Sequence, residues 1–290
     1  MELWFILALV AVLLWGSTGI FAKLSTPKLG VARVAVLVAV VEGTMYFVAF
    51  CYWRGDVPIA FEDGVLATGA CVLGVTAYLC FFESVMDGQI AVVGTISAAY
   101  PALTVVGALV LLSETLTASQ AIGLVATVGG VVALSYEPHP SSKHAMPRRS
   151  VIFALLAFML WGLWGLTSKM AVDRVGPGNI LGFYAIATTS VPILYAWLRR
   201  VRLWRLGTDC PPWAAWVLGA TGLAFSASGT FAYSFALDRG AAALVVPISS
   251  AYPLVTVVLA VALLHEKLSW LHVIALVAVL IGMIVIGITV

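Results

Sequence analysis

Apolar residues dominate this chain in long blocks, and polar residues gather in the short gaps between them. A helix needs about 20 mostly apolar residues to cross the hydrocarbon core of a bilayer. Ten runs fit that requirement: residues 3–22, 30–53, 64–84, 90–112, 118–136, 150–171, 178–198, 213–236, 241–264 and 269–289. Each is a run of helix length rather than an alternating pattern, which predicts helices in lipid and not strands. The longest polar stretch, Glu137 to Ser150 (EPHPSSKHAMPRRS), falls at the midpoint. Its prolines, serines and basic residues predict a linker. The expected organisation is a first five-helix unit over 1–136, a linker over 137–149 and a second five-helix unit over 150–290.

The two units repeat one another. Ala99 to Leu116 reads AYPALTVVGALVLLSETL, and Ala251 to Leu268 reads AYPLVTVVLAVALLHEKL. Each is an apolar run with Tyr-Pro near its start and a glutamate at its end. The proline removes a backbone hydrogen bond, which a spanning helix tolerates where neighbouring protein or a cavity meets the freed carbonyl. Repeated broken helices point to the substrate site of a secondary transporter. The first helices match too: Trp15-Gly16-Ser17-Thr18-Gly19 with Lys23 lines up with Trp161-Gly162-Leu163-Trp164-Gly165 with Lys169, 146 residues on. The Tyr-Pro stretches lie 152 residues apart, and the difference is assigned to the loop Arg199 to Pro212, longer than its counterpart Arg54 to Asp63. Five spans is an odd number, so the second unit enters the bilayer from the opposite side. The predicted fold is an all-α integral membrane protein of ten transmembrane helices arranged as two inverted five-helix repeats.

The tandem five-helix repeat, the Trp-Gly start with its lysine, and the Tyr-Pro helix ending in Glu resemble the EamA family of the drug/metabolite transporter superfamily. The resemblance covers roughly residues 3–136 and 150–289. It implies ten helices, alternating access, and transport of small metabolites such as amino acids, nucleotide sugars, choline-like amines or drugs. It also implies cytoplasmic termini.

Composition agrees with the membrane reading. The chain has 290 residues, 62% hydrophobic and 10% charged, with a mean hydropathy of +1.09. Soluble domains are nearer half apolar and a quarter charged. A net charge of +2 is too small to argue for nucleic acid. The four cysteines show no CxxC spacing, and the four histidines show no metal-ligand spacing. No metal and no cofactor is therefore expected. Glu2 precedes the first run and no basic segment does, so a retained helix is expected rather than a signal peptide. Of the 15 Lys and Arg residues, 11 fall on the side of the loops after odd-numbered spans and 4 on the other. The positive-inside rule then places the linker in the cytoplasm and both termini outside, against what the family resemblance implies.

Glu42 is the main chemical candidate. It lies mid-way along the second span, in VLVAVVEGTMYFV, where an ionisable group costs on the order of 3 kcal/mol and usually faces the bundle interior. It is either a proton-coupling or cation-binding carboxyl, or a structural one bonded to a neighbouring helix. Its counterpart is Thr188, so one half alone carries the acid. Ser97, Tyr100 and Thr104 share a helix face, and Ser249, Tyr252 and Thr256 repeat it. These faces either flank one cavity or ease helix packing through Ser and Thr. Gly222, Ser226, Gly229 and Tyr233 line one face of the eighth span, and Tyr78 offers an aromatic opposite. Trp15, Trp161 and Trp164 lie too deep for an interfacial belt by the 1.5 Å rise per residue. With Glu42 they suit an amine, because aromatic faces bind desolvated cations; packing is the alternative. Lys23 and Lys169 close the first helices, where they snorkel, contact an anion, or act as gate partners for an acid such as Glu83. Glu114 and Glu266 fall in loops, and Glu114 is positioned to cap the helix that begins after Thr117.

The function these features support is secondary active transport of a small organic metabolite (amine, amino acid or drug-like solute) across the plasma or inner membrane, with protons as candidate coupling ions. The implied partners are the lipid bilayer, a small-molecule substrate and protons; no nucleic acid is expected and no oligomer is required. A membrane-embedded enzyme acting on a lipid-like substrate would need clustered acids or histidines, which are missing here. A passive channel is the third class, and the inverted duplication argues against it.

Overall fold

The computed structural model describes residues 2–87, 96–134, 147–199, 211–264 and 269–288. Most of the midpoint linker and of the 199–212 loop, together with Glu266, lie outside the described residues. Ten helices run in sequence: α1 (Leu3–Leu29), α2 (Val31–Trp53), α3 (Phe61–Asp87), α4 (Ile96–Leu111), α5 (Ala118–Leu134), α6 (Arg148–Val175), α7 (Ile180–Leu198), α8 (Trp213–Arg239), α9 (Ala242–Leu263) and α10 (Trp270–Ile288). No strand occurs among the described residues.

Among the described residues, seven of these, α1, α2, α3, α6, α7, α9 and α10, are long and apolar enough to cross a membrane; the described parts of α4 and α5 are apolar but shorter. The 27-residue α8 has the length, but Gly219, Gly222, Ser226, Ser228 and Gly229 dilute its apolarity. Those small residues are where its neighbours come close. Large apolar side chains point outward all round the bundle, among them Phe47, Val110, Val125 and Ile284, each more than half exposed. Such a surface suits lipid, and the chain is a multi-pass membrane protein.

The first and sixth helices are longer than their apolar runs. Lys23 lies six residues inside α1, and Lys169 six residues inside α6. Neither closes its helix. Both helices end instead on a glycine at positive φ, Gly30 (+75°) and Gly176 (+85°), where a side chain would be strained.

The main helix pairs recur when the two halves are exchanged. Helix α1 packs on α8 and α9, and α6 packs on the equivalent α3 and α4; α2 meets α7, and α5 meets α10. One pair of hydrogen bonds repeats with the packing. Thr104 donates to the Gly162 carbonyl (2.9 Å), and Thr256 donates to the Gly16 carbonyl (2.8 Å). The Trp-Gly and Thr-Val-Val motifs therefore recur because they are two sides of one contact. A Cβ on Gly16 would lie 2.7 Å from the Tyr252 carbonyl, and one on Gly162 within 2.8 Å of three Leu103 carbons. Only glycine lets these helices approach closely enough for the threonine to reach across.

Both Tyr-Pro helices are interrupted at the motif. Ala102 N bonds to Ala99 O, and Leu254 N to Ala251 O, each at 3.0 Å, so the chain tightens by one residue at the proline. The end of α4 carries an unexpected partner. The Glu114 carboxylate accepts from the backbone N–H groups of Ala242 and Ala243, both at 2.8 Å, and so caps α9 in the other half. The expectation that Glu114 caps α5 is corrected: α5 is capped by Thr117, whose hydroxyl accepts from Gln120 N while Gln120 Oε1 accepts from Thr117 N.

Candidate functional site

The centre of the bundle is built from α1, α2, α6, α8 and α9 around Glu42. Helix α2 is not regular there: residues Val38–Glu42 form a π-helical turn. A π-turn adds one residue to the helix. In a regular helix the face carrying Val34 and Leu37 would continue at Val41, four residues past Leu37. The inserted residue brings Glu42 onto that face instead. The Glu42 side chain is 7% exposed overall and reaches the Ser226 hydroxyl on α8. No lysine or arginine among the described residues pairs with it. Thr188, its counterpart on α7, bonds its own helix at Tyr184 O (2.7 Å) in an uninterrupted α-helix. The acid and the π-turn belong to one half only.

Aromatic side chains fill the surrounding space. Trp15 packs on Tyr233 (5.3 Å between ring centroids), Tyr252 (6.3 Å) and Trp164 (6.4 Å), and Trp164 stacks on Tyr233 at 5.0 Å. The Trp15 indole donates to Ser226 O (3.1 Å), the residue that faces Glu42. The Trp164 indole donates to the Tyr184 hydroxyl (2.8 Å), and Tyr184 stacks on Tyr46 at 5.3 Å, one turn past Glu42. The buried Tyr233 hydroxyl and Ser249 Oγ have no hydrogen-bond partner among the described residues.

Six of the residues singled out in the sequence come together here: Glu42, Trp15, Trp164, Ser226, Tyr233 and Tyr252. Tyr100 and Trp161 form an adjoining layer with Phe81, at 5.8 and 5.6 Å. Tyr100 and Tyr252 lie within electrostatic reach of each other. Both sit inside the bundle, but aromatic packing fills the space between the walls they were expected to flank. Ser97 is buried near the start of α4. Open space lies to one side instead, in a small recess between α1, α2, α3 and α8. Thr18, Thr26, Leu37, Tyr78, Phe82 and Gly222 contribute to its wall. Of the residues singled out in the sequence as a polar or aromatic wall, Tyr78 and Gly222 line it. The recess lies toward the ends of these helices that face the linker.

The ion pairs differ from expectation. Glu83 lies at the linker end of α3, where it accepts from Arg149 (2.6 Å), the Tyr195 hydroxyl (2.8 Å) and Arg199. Lys169 donates to Asp173 (2.7 Å) and Leu237 O (2.9 Å). Asp63, at the opposite end of α3, meets Arg174 near the end of α6, so Lys169 and Glu83 stand at opposite ends of this antiparallel pair. The pairing of Lys169 with Glu83 as a gate is therefore corrected. Arginines from the second half hold Glu83 where a lysine was expected. Sequence reasoning also missed Tyr46 and Tyr184. Tyr46 had a signal, since it falls at i+4 from Glu42.

A family model of EamA-like transporters matches residues 2–136 and again 148–288. Solved structures with this fold contribute 29 matching chains. One of them, a crystal structure described only as that of a protein, superposes with a TM-score of 0.77 over 99% of this chain and 96% of its own. Its sequence identity is 19%, so the likeness speaks to the fold alone. No curated protein sequence matches the chain significantly. With two copies of the model spanning almost all of the sequence, the chain belongs to the EamA-like transporter family.

Proposed function

We propose that the chain is a secondary active transporter of small organic solutes, amines first among them, working by alternating access in the plasma or inner membrane. All ten helices cross the bilayer in this reading, and the halves are related by a two-fold axis in the membrane plane. The recurrence of the main helix pairs and the paired Thr104–Gly162 and Thr256–Gly16 bonds support that axis. The central observation for the chemistry is Glu42, a buried carboxyl without a cationic partner among the described residues, set beside Trp15, Tyr46 and Ser226. Aromatic faces and one carboxyl together favour an organic cation over an anion.

The cycle balances charge simply. Protonated Glu42 gives up its proton to one side as an ammonium solute from that side takes its place. On the other side the solute leaves and a proton returns. One proton then moves against each monovalent cation, with no net charge transferred. The unpartnered hydroxyls of Tyr233 and Ser249 are available to orient the solute. Transport by purified protein in proteoliposomes, across a panel of amines and amino acids with and without an imposed pH gradient, tests this. Saturable amine uptake driven by an outward-directed proton gradient is expected. Uptake of no amine, or uptake indifferent to the gradient, would overturn the coupling.

A further inference from the structure

The two halves meet the membrane surfaces differently. At the corner between α6 and α7, Val175, Ile180 and Leu181 are fully buried in the main hydrophobic core. The Asn179 amide there bonds to Gly55 O and accepts from Gly55 N, which ties the corner to the α2–α3 loop. The equivalent corner between α1 and α2 lies outside that core. Leu29 and Val34 form a separate small cluster with Ala215, flanked by Leu37 and Trp216. The segment Val31–Leu37 is bounded by Gly30 at positive φ and by the π-turn Val38–Glu42. It walls the recess through Val34 and Leu37, across from Tyr78 and Phe82 on α3.

We infer that Val31–Leu37 is a gate on the linker side, hinged at Gly30 and at the π-turn, which closes the recess by moving toward Phe82. A short segment held by its own cluster can shift without breaking the main core. Hinges are a few terminal residues that absorb φ/ψ change, and a π-turn can exchange its extra residue along a helix. Closing would join the α1–α2 corner to the main core, as the α6–α7 corner already is. Since the π-turn ends on Glu42, gate movement and carboxyl exposure change together. The gate serves the transport cycle proposed above, but its test needs no substrate.

Cysteines at Leu37 and Phe82, with a reporter cysteine replacing Thr18 and the native cysteines removed, allow that test on purified protein in detergent. Oxidation should link the first pair and shield the reporter from a bulky maleimide by about tenfold or more, as a closed lid excludes solvent. Reduction should restore labelling, which shows that the fold is intact. Deletion of Val40, a lipid-exposed residue of the π-turn, makes Leu37 and Glu42 i,i+4 neighbours in a regular helix. It should keep the reporter reactive and slow cross-linking by a similar factor. Failure of the native-length pair to cross-link, or unchanged labelling after it does, overturns the gate. Cross-linking at full rate after the deletion overturns the hinge. A failure to find any transported solute leaves these readouts unaffected and bears on the transport reading alone.

Discussion

Glu114 shows how one residue can join the two halves. It follows α4, yet its two carboxylate oxygens accept from the first backbone N–H groups of α9. Charged hydrogen bonds contribute about 1.5–3 kcal/mol, and an acid at a helix N-terminus adds to this. Glu114→Ala should lower stability by about 2 kcal/mol, or the melting temperature by about 5 °C. Glu114→Gln, with one acceptor oxygen left, should fall between. Thermal melting followed by size-exclusion chromatography in detergent checks this, and identical melting of all three proteins would contradict the cap. The partner is 128 positions away, so no local pattern could reveal it. The acid itself was legible as a cap, but helix proximity in sequence pointed to the wrong helix. Glu42 was legible because an acid at mid-span is conspicuous; its π-turn was not. A helix that is apolar nearly all round tolerates an extra residue without disturbing any visible period.

At the scale of helices, the repeated motifs reduce to close contacts. Gly16→Ala and Gly162→Ala should each force α1 from α9, or α6 from α4, because the new Cβ would clash with backbone or with a branched side chain. Gly69→Ala, where a Cβ meets nothing within 4 Å, should be neutral. Yield of monodisperse protein should fall for the first two and hold for the third. Thr104→Val and Thr256→Val remove one interhelical bond each, which averages about 0.6 kcal/mol in membrane proteins. A melting shift much larger than that would mean the hydroxyls do more than join helices. The Tyr-Pro breaks and the helix count were readable from the chain. The helix ends were less so, since α1 and α6 continue beyond their apolar runs through Lys28 and Arg174 before a glycine stops them.

For the whole molecule, two matters are decided by orientation and by coupling. With ten spans, as proposed, the recess falls on the side to which the sequence assigns 11 of the 15 Lys and Arg residues. By the positive-inside rule that side is cytoplasmic, so a cysteine at Ser141 should resist an impermeant thiol reagent on intact cells and react after lysis. Labelling of intact cells would reverse the orientation. The central claim is that the Glu42 carboxyl exchanges a proton for the transported cation. Glu42→Gln preserves shape and removes the proton. The most direct measurement compares pH-gradient-driven amine uptake by native and Glu42→Gln protein in the same proteoliposomes, alongside solute exchange without a gradient. The account predicts that the variant loses gradient-driven uptake, whether or not it still exchanges solute. Native rates with the native pH dependence in the variant would make Glu42 a structural residue and contradict the account.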